Sequence, residues 1–337
     1  MGEMSRASCG VYDAAIPHLG ALTRVLDAAQ LLSGVAMLRS HRWMARGEGS
    51  LEVQAVTVLR GHPGSRWTLR YDVRWGNERR TLIAKVYARD RGDVAATLLA
   101  LRRGGFGPGQ RMQVAVPIAY VPAPRLLLLE EAPGLSARAA LSLGQVGVGA
   151  EAARWLAAFQ AASPPLPAVY RLRDPLVKAR RWARALGADA PMLAGVARHL
   201  LDALAAAQPA WPAAPHLMHG DFGVSHVYLA AGTTTVIDWD TWGVGDCAED
   251  AGRFLASLHH IAARSPAQGV AVAREAELFA RTFRAAAPLA GRRLAFYDAL
   301  ACLRKASRLM AAGRPSRMPG AAALLAAGER ALRVGSA

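Results

Sequence analysis

The sequence has few cysteines, no long uninterrupted apolar run and a shortage of acidic residues. Its three cysteines, Cys9, Cys247 and Cys302, lie far apart and form no Cys-x-x-Cys pair. This spacing argues against a disulfide framework or a thiolate zinc site and is typical of a reducing compartment. Charged side chains such as Arg24 interrupt the fairly apolar segment 14–38, which argues against a signal peptide or a membrane span. We therefore expect a cytoplasmic protein with no membrane partner.

The shortage of acidic residues leaves the chain strongly basic. Asp and Glu number 25 against 41 Lys and Arg, so the formal net charge is +16. Such an excess attracts polyanions, including nucleic acids and nucleotide phosphates. The basic residues are mostly Arg scattered singly among Ala and Leu, whereas a nucleic-acid-binding surface carries dense basic runs interleaved with exposed aromatics. The pattern favours solvated, Arg-rich helices over nucleic-acid binding.

Length and apolar content predict more than one domain. The chain has 337 residues, 53% of them hydrophobic, and so exceeds the usual size of a single core. Helical spacing between residues 1 and 48 predicts an amphipathic lead-in helix. The pattern then changes to short runs typical of strands, separated by turn sequences, at 53–60, 66–75 and 81–87. These runs predict an antiparallel meander.

The rest of the chain completes a small sheet and then becomes helical. We expect a helix over 89–103, strands over 114–120 and 125–130, and a hinge at Pro133-Gly134. Helical patterns follow at 151–162, 175–186, 191–207, 247–262, 269–286, 291–312 and 319–333. We therefore predict an α+β fold of two lobes, a small antiparallel five-stranded sheet lobe and a larger, mostly helical lobe. The predicted limits are 1–50 for the lead-in, 51–132 for the sheet domain and 133–337 for the helical domain.

The stretch from His216 to Asp240 interrupts the helical half with two short apolar runs. The first run leads into Asp221 and the second ends at Asp238, and Ala231-Gly232 between them suits a hairpin-like return. The return would bring the two carboxylates close together. Because facing carboxylates repel unless a cation lies between them, the pattern predicts a metal-dependent site.

Lys85 is a single cation inside the apolar strand predicted at 81–87. It is either an edge residue that reaches solvent or a buried cation that awaits an anion. Taken alone, the pattern favours the edge position, since lysine is rarely buried.

The ordered motifs resemble a known family over roughly residues 51–310. The motifs are Lys85 on the third strand, a Leu-rich strand ending in Glu130-Glu131, His219-Gly220-Asp221, Ile237-Asp238-Trp239-Asp240, and then Gly245-Asp246 with Asp250. This set resembles the aminoglycoside phosphotransferase and choline kinase-like family of the protein kinase-like superfamily. His-Gly-Asp alone is weak evidence, but the ordered set is much more specific. The resemblance implies transfer of the γ-phosphate of ATP or GTP to a hydroxyl of a small molecule.

The resemblance also implies a role for each motif residue. Asp221 is the catalytic base, with a turn or helix cap as its structural alternative. Asp238 binds Mg²⁺ against the nucleotide phosphates. Lys85 contacts the α- and β-phosphates, and the main chain of Glu130, Glu131 and Ala132 meets the adenine edge. The sheet domain is then nucleotide-binding, and the helical domain holds the catalytic loop and the acceptor site.

His226 departs from the family pattern, which places Asn five residues after the catalytic aspartate as a second metal ligand. An imidazole suits Mg²⁺ poorly and suits Mn²⁺ or zinc better. Either the metal preference has changed, a water mediates the contact, or catalysis is impaired. The helix after Lys85 also lacks the usual glutamate, for which Asp90 or Asp93 could substitute.

Two hypotheses of other classes stand beside the small-molecule kinase. One is a catalytically impaired kinase-fold protein that binds nucleotide or ligand. The other is a metal-dependent hydrolase whose ligands would be His216, His219, Asp221, His226 and Asp238. For a kinase, the scarcity of acidic residues between 135 and 210 weakens aminoglycosides or choline as acceptor and favours a neutral or anionic alcohol.

Overall fold

The computed structural model describes residues 51–162, 174–210, 215–311, 313 and 315–335. The predicted lead-in helix lies outside these residues. The described chain divides into two compact units. One holds residues 51–100 with Ala115–Ala132, and the other holds Leu101–Val114 with the chain from Pro133 onward. None of the helices in the described ranges combines the length and the apolar character that a bilayer span requires.

The first unit is an antiparallel five-stranded sheet with one helix. Its strands are β1 (Leu51–His62), β2 (Arg66–Trp75), β3 (Glu78–Tyr87), β5 (Pro117–Val121) and β6 (Leu126–Glu130). They pair in the order β1-β2-β3-β6-β5, and helix α1 (Gly92–Leu101) follows β3. The predicted α+β fold and its five-stranded sheet are confirmed.

One face of this sheet forms the apolar core of the first unit. Alternate residues of β2, namely Leu69, Tyr71 and Val73, are at most 1% exposed, as expected for a strand with one buried face. Lys85 lies on β3 between Thr68 of β2 and Leu127 of β6, and it is 6% exposed. The edge interpretation of Lys85 is therefore wrong, because β3 is the central strand and buries this side chain.

Asp90 and Asp93 are both engaged at the start of α1. The Asp90 carboxylate accepts hydrogen bonds from the Tyr120 hydroxyl and, at 3.1 Å, from the backbone N–H of Gly92. The Tyr120 hydrogen bond, followed by that of Gly92, lowers the pKa of Asp90 below its usual value. Asp93 forms an ion pair with Arg91 at 2.9 Å. Asp90 thus fixes the entry to the helix.

The second unit combines two small sheets with a set of helices. The strands of this unit are β4 (Met112–Val114), β7 (Leu135–Ser136), β8 (His216–Met218), β9 (Val227–Ala230), β10 (Thr233–Val236) and β11 (Gly243–Gly245). One sheet has the order β4-β10-β9-β7, and the other pairs β11 with β8. The helices are α2 (Ala137–Ser142), α3 (Val148–Ala161), α4 (Pro175–Asp189), α5 (Ala194–Ala206), α6 (Ala248–Arg264), α7 (Pro266–Ala286), α8 (Pro288–Gly291), α9 (Leu294–Met310) and α10 (Met318–Gly335).

The strand predicted at 114–120 is in fact two strands in different sheets. Val114 ends β4, which pairs in parallel with β10, whereas β5 begins at Pro117 in the first unit. Proline has no N–H and suits the first residue of a strand, which explains the break. Phe106 packs on Trp155 with ring centroids 5.5 Å apart. Residues 101–114 therefore group with the helical unit, although the sequence prediction counted them in the sheet domain.

Glu275 of α7 binds the backbone at the start of α3. Its carboxylate is 6% exposed and accepts from the backbone N–H groups of Gly147 at 2.8 Å and Gly149 at 2.7 Å. Those N–H groups lie at the start of a helix, where backbone N–H groups have no acceptor within the helix. Glu275→Ala should lower the free energy of unfolding by about 2–4 kcal/mol, since two buried donors lose their acceptor.

Urea unfolding of this variant should be compared with Glu277→Ala, an exposed position on the same helix. The control should change stability by at most about 0.5 kcal/mol. Equal losses in the two variants would contradict the capping role of Glu275.

Candidate active site

A tight loop from His219 to His226 connects β8 to β9 and carries Asp221. Gly220 adopts φ +78°, and a Cβ atom built on it would lie 2.0 Å from the carbonyl oxygen of Thr241. Only glycine combines this backbone conformation with such a close approach. The chain can therefore turn sharply at Gly220 and present Asp221 directly after it.

His219 braces this loop through both of its ring nitrogens. It is fully buried, its Nε2 lies 2.8 Å from the carbonyl oxygen of Ile237, and its Nδ1 accepts the Asp221 N–H at 3.2 Å. Because a carbonyl only accepts, Nε2 carries the proton and Nδ1 does not. Burial, assisted by the neighbouring His226, lowers the pKa of His219 to about 4. The imidazole is thus neutral and structural.

Asp250, in the first turn of α6, binds the backbone of this loop. Its two carboxylate oxygens accept the backbone N–H groups of His219 at 2.7 Å and Gly220 at 2.9 Å. Burial raises the pKa of Asp250 to about 6, although Arg253 opposes this shift. Asp250 therefore supports the loop and also places a carboxylate in the first turn of a helix.

An aromatic cluster anchors the loop to the helices. Phe222 is 1% exposed and stacks on Trp155 with ring centroids 5.7 Å apart, and the ring of Phe254 lies 5.4 Å from that of Phe222. Trp239 contacts His219 edge-on at 4.8 Å and donates its indole N–H to the carbonyl oxygen of Val236. These contacts fix the loop between rigid rings.

Asp221 lies among basic side chains at the surface of the second unit. Its side chain is 38% exposed, and its Oδ1 lies 3.5 Å from Arg304 Nη2 and 3.9 Å from Arg253 Nη1. Burial acts to raise the pKa of Asp221, but Arg304, His226 and Arg253 outweigh it and lower the pKa below its usual value. The carboxylate is therefore ionised and reachable, as a proton acceptor at neutral pH must be.

Asp238 and His226 lie side by side at the ends of the hairpin strands. The hairpin predicted through Ala231-Gly232 is present as β9 and β10. Asp238 adopts the left-handed conformation with φ 64° and ψ 58°, which is uncommon for a non-glycine residue and typical of functional sites. Its Oδ2 lies 3.5 Å from His226 Nε2.

The hydrogen bond made by Nδ1 of His226 determines which ring nitrogen carries the proton. Nδ1 lies 2.7 Å from the backbone carbonyl oxygen of Asp221 and must donate to it. In the neutral ring, Nε2 then presents a lone pair to the Asp238 carboxylate. Two lone-pair donors at this distance suit a shared cation, either a metal ion or a proton. The donor set of one carboxylate and one imidazole fits a divalent metal, and fits Mn²⁺ better than Mg²⁺.

The predicted site residues fall into two groups. Asp221, His226 and Asp238 come together in the second unit, whereas Lys85 and the Glu130–Ala132 segment belong to the first. Glu130 donates its N–H to the carbonyl of Val116, and Glu131 donates its N–H to the carbonyl of Thr81. Their catalytic, metal-binding and nucleotide-binding roles stay predictions.

The metal-dependent hydrolase suggested by the sequence lacks one of its ligands in this arrangement. It requires His219 to bind metal, but both nitrogens of that ring are occupied by internal hydrogen bonds. His216 lies on β8, opposite Gly245 of β11. A five-ligand zinc site is therefore not formed by these residues.

Sequence reasoning missed the arginines around Asp221. Arg253 lies on α6 and donates to the carbonyl of Gly220 and to Glu249, while Arg304 comes from α9. Arg253 follows Asp250 by three residues, so helical spacing could have placed it beside the loop. No local signal links Arg304 to Asp221.

A cavity of about 170 Å³ opens beside Gly220 in the second unit. Its charged lining consists of Lys178 and Arg253 with Asp246 and Glu249. The two carboxylates are already paired, Glu249 with Arg253 and Asp246 with Arg293. The volume is below the range of drug-sized ligand pockets, which suits a small ligand.

Comparison with known proteins gives both a family and a fold. The sequence matches the phosphotransferase enzyme family over residues 58–289, which is more than half of the chain. No protein of curated function matches the sequence significantly.

Solved structures of phosphotransferases and choline kinases share the fold. An aminoglycoside phosphotransferase APH(4)-Ia, in ternary complex with ADP and hygromycin B, is 16% identical, with a TM-score of 0.56 and coverage of 85% of this chain and 96% of that one. A choline/ethanolamine kinase family protein from Mesorhizobium loti is 17% identical, with a TM-score of 0.55 and coverage of 92% and 99%. A choline kinase from Cryptosporidium parvum is 10% identical, with a TM-score of 0.58 and coverage of 90% and 95%. The chain therefore belongs to the phosphotransferase enzyme family, and its predicted resemblance to aminoglycoside phosphotransferases and choline kinases is confirmed.

Proposed function

We propose that the protein transfers the γ-phosphate of ATP or GTP to a hydroxyl group of a small molecule. The observation that carries this proposal is the ionised, accessible Asp221 on a rigid loop within the same unit as Asp238 and His226. Phosphoryl transfer needs a positioned proton acceptor, neutralisation of phosphate charge and exact placement of the hydroxyl. Membership of the phosphotransferase enzyme family indicates the class of reaction, phosphoryl transfer.

Asp221 acts on the acceptor hydroxyl in this proposal. Its carboxylate accepts the hydroxyl proton as the acceptor oxygen forms a bond to the γ-phosphorus and the bond from that phosphorus to the β,γ-bridging oxygen breaks. The bridging oxygen leaves with the nucleoside diphosphate. The neutral His219 and the Asp250 carboxylate hold the loop in place during this transfer.

Asp238 and His226 would hold Mg²⁺ or Mn²⁺. When bound, the ion supplies neutralisation of the phosphate charge. The left-handed backbone of Asp238 and the proton on His226 Nδ1 aim an oxygen and a nitrogen lone pair toward each other, which supports a shared ion.

The first unit would bind the nucleotide. Lys85, buried on the central strand, would contact the α- and β-phosphates. The N–H groups of Glu130 and Glu131 are donated within the sheet, so the N–H of Ala132 and the carbonyls of the segment are the candidates for the adenine edge. Backbone groups of this kind recognise a base by its hydrogen-bonding pattern.

A kinase-fold protein that binds nucleotide without transfer is the second candidate, and His226 favours it. The measurement that separates the two is nucleotide affinity with and without metal, combined with turnover. Tight metal-independent binding without turnover supports the second candidate. Metal-dependent binding with turnover supports the kinase.

Nucleotide binding is tested by thermal shift with ATP and GTP crossed with Mg²⁺, Mn²⁺ and Zn²⁺. A nucleotide present at 100 times its Kd should stabilise the protein by about 2.7 kcal/mol. Lys85→Met should lose most of this gain, because it removes the positive charge and keeps a similar volume.

Arg79→Ala is the matched control, since Arg79 lies exposed on the same strand. Each variant is compared with its own melting temperature without nucleotide. An unchanged nucleotide shift in Lys85→Met would refute the role of Lys85, and no shift in the wild type with any metal would refute the nucleotide site.

A further inference from the structure

Four basic side chains lie on helices beside the Asp221 loop within the second unit, and Arg138, Arg253 and Arg304 contact it. Arg304 and Arg253 lie 3.5 Å and 3.9 Å from the Asp221 carboxylate. Arg138 donates from its Nε to the Ser225 hydroxyl at 3.1 Å, and its backbone N–H binds the carbonyl of Val224. Lys305 follows Arg304 on α9. The loop is thus approached by cations from α2, α6 and α9.

The carboxylates near the loop do not balance these cations. Glu249 is engaged by Arg253, and Asp250 is engaged by the loop N–H groups. Asp221 is therefore shared by Arg253 and Arg304 and acts on Lys305 as well. Two ionised carboxylates, Asp221 and Glu249, are thus set against the four cations.

Mutual repulsion among the cations is consistent with this surplus. Burial lowers the pKa of Arg304 to about 10, and the nearby Arg253 and Arg308 add to the effect. Burial likewise lowers the pKa of Lys305 to about 8, with Arg138 and Arg304 contributing while Asp221 opposes them. An anion bound among these side chains would relieve the repulsion.

We propose that the acceptor is an anionic alcohol, whose phosphate or carboxylate group binds Arg304 and Lys305 while its hydroxyl meets Asp221. The proposal rests on the proposed function, since it names the substrate class of the same site. An amine-bearing alcohol would bring like charges together beside Arg253 and Arg304, which disfavours it. A phosphate or carboxylate instead gains charge-assisted hydrogen bonds from a guanidinium and an ammonium group.

The test is a series of sugars that share one scaffold and differ in charge. The wild-type protein is first saturated with AMP-PNP and Mn²⁺, so that a nucleotide already fills the phosphate-binding groups. Binding of glucose 6-phosphate, glucuronate, glucose and glucosamine is then measured by calorimetry. The two anions should bind at least about tenfold more tightly than glucose and glucosamine, because each gains at least one charge-assisted contact.

Variants assign the preference to the proposed residues. Arg304→Gln combined with Lys305→Gln should abolish the difference between anions and glucose, while the thermal shift caused by AMP-PNP stays unchanged. Arg274→Gln combined with Arg281→Gln, two exposed positions on α7, controls for the loss of two positive charges and should keep the preference.

Equal affinity for all four sugars, a preference for glucosamine, or an anion preference that survives in the double variant would overturn the proposal. The wild-type series decides the question even if the double variant fails to fold. Failure of AMP-PNP to bind the wild type would count instead against the proposed function, so the two failures are distinguishable.

Discussion

Asp221→Asn should lower the rate of nucleotide-dependent phosphorylation by at least about 10²-fold. General bases typically contribute 10²–10⁴-fold, and the amide cannot accept the hydroxyl proton as a carboxylate does. Arg304 and the neighbouring cations keep the pKa of Asp221 low, so the wild-type carboxylate is ionised across the neutral range. Release of the nucleoside diphosphate, measured as initial rates at saturating nucleotide, gives the comparison.

The matched control is Asp202→Asn, which makes the same chemical change at an exposed position of α5. This control should keep the wild-type rate. The nucleotide-induced thermal shift should persist in Asp221→Asn, because Asp221 is assigned to the acceptor and not to the nucleotide. A rate in Asp221→Asn within about threefold of the wild type would leave no role for this residue as general base.

His226→Asn should change the metal preference of the enzyme. The wild type should work better with Mn²⁺ than with Mg²⁺, because the imidazole nitrogen facing Asp238 suits the softer ion. The asparagine carbonyl is a hard oxygen ligand. The ratio of the Mn²⁺ rate to the Mg²⁺ rate should therefore fall by at least about tenfold in the variant.

His216→Asn is the control for this experiment, since His216 lies on β8 within the same sequence motif. The ratio of the Mn²⁺ rate to the Mg²⁺ rate in this control should equal that of the wild type. If His226→Asn leaves the ratio unchanged, His226 is not a metal ligand, and an imidazolium paired with Asp238 becomes the better description of the 3.5 Å contact.

Local sequence patterns predicted the parts of the fold that depend on neighbouring residues. The meander followed from short strand-like runs and turn residues, and the β9–β10 hairpin followed from Ala231-Gly232 between two apolar runs. The seven helices predicted for the second unit begin and end within a few residues of their observed limits, whereas the short helices α2 and α8 were not predicted. Each predicted feature depends on residues that are close together in the sequence.

Features that depend on distant residues escaped prediction. Val114 looks like the start of the next strand, but it ends β4, which pairs with β10, more than a hundred residues later. The local sequence favours an edge position for Lys85. Lys85 is not at an edge because β3 pairs with β2 on one side and with β6 on the other. The charge around Asp221 is likewise invisible locally, because Arg304 lies 83 residues away in sequence. Tertiary pairing decides each of these cases.

The central claim is that the protein forms a phosphate ester on a small-molecule hydroxyl with Asp221 as base. Phosphorus NMR tests it most directly, with the protein, ATP, Mg²⁺ or Mn²⁺, and the small-molecule filtrate of a cell extract as the acceptor pool. We predict a new phosphomonoester signal that grows as the γ-phosphate signal decays, and its absence with Asp221→Asn. Release of the γ-phosphate only as inorganic phosphate, or an ester signal that is equally strong with Asp221→Asn, would contradict the claim.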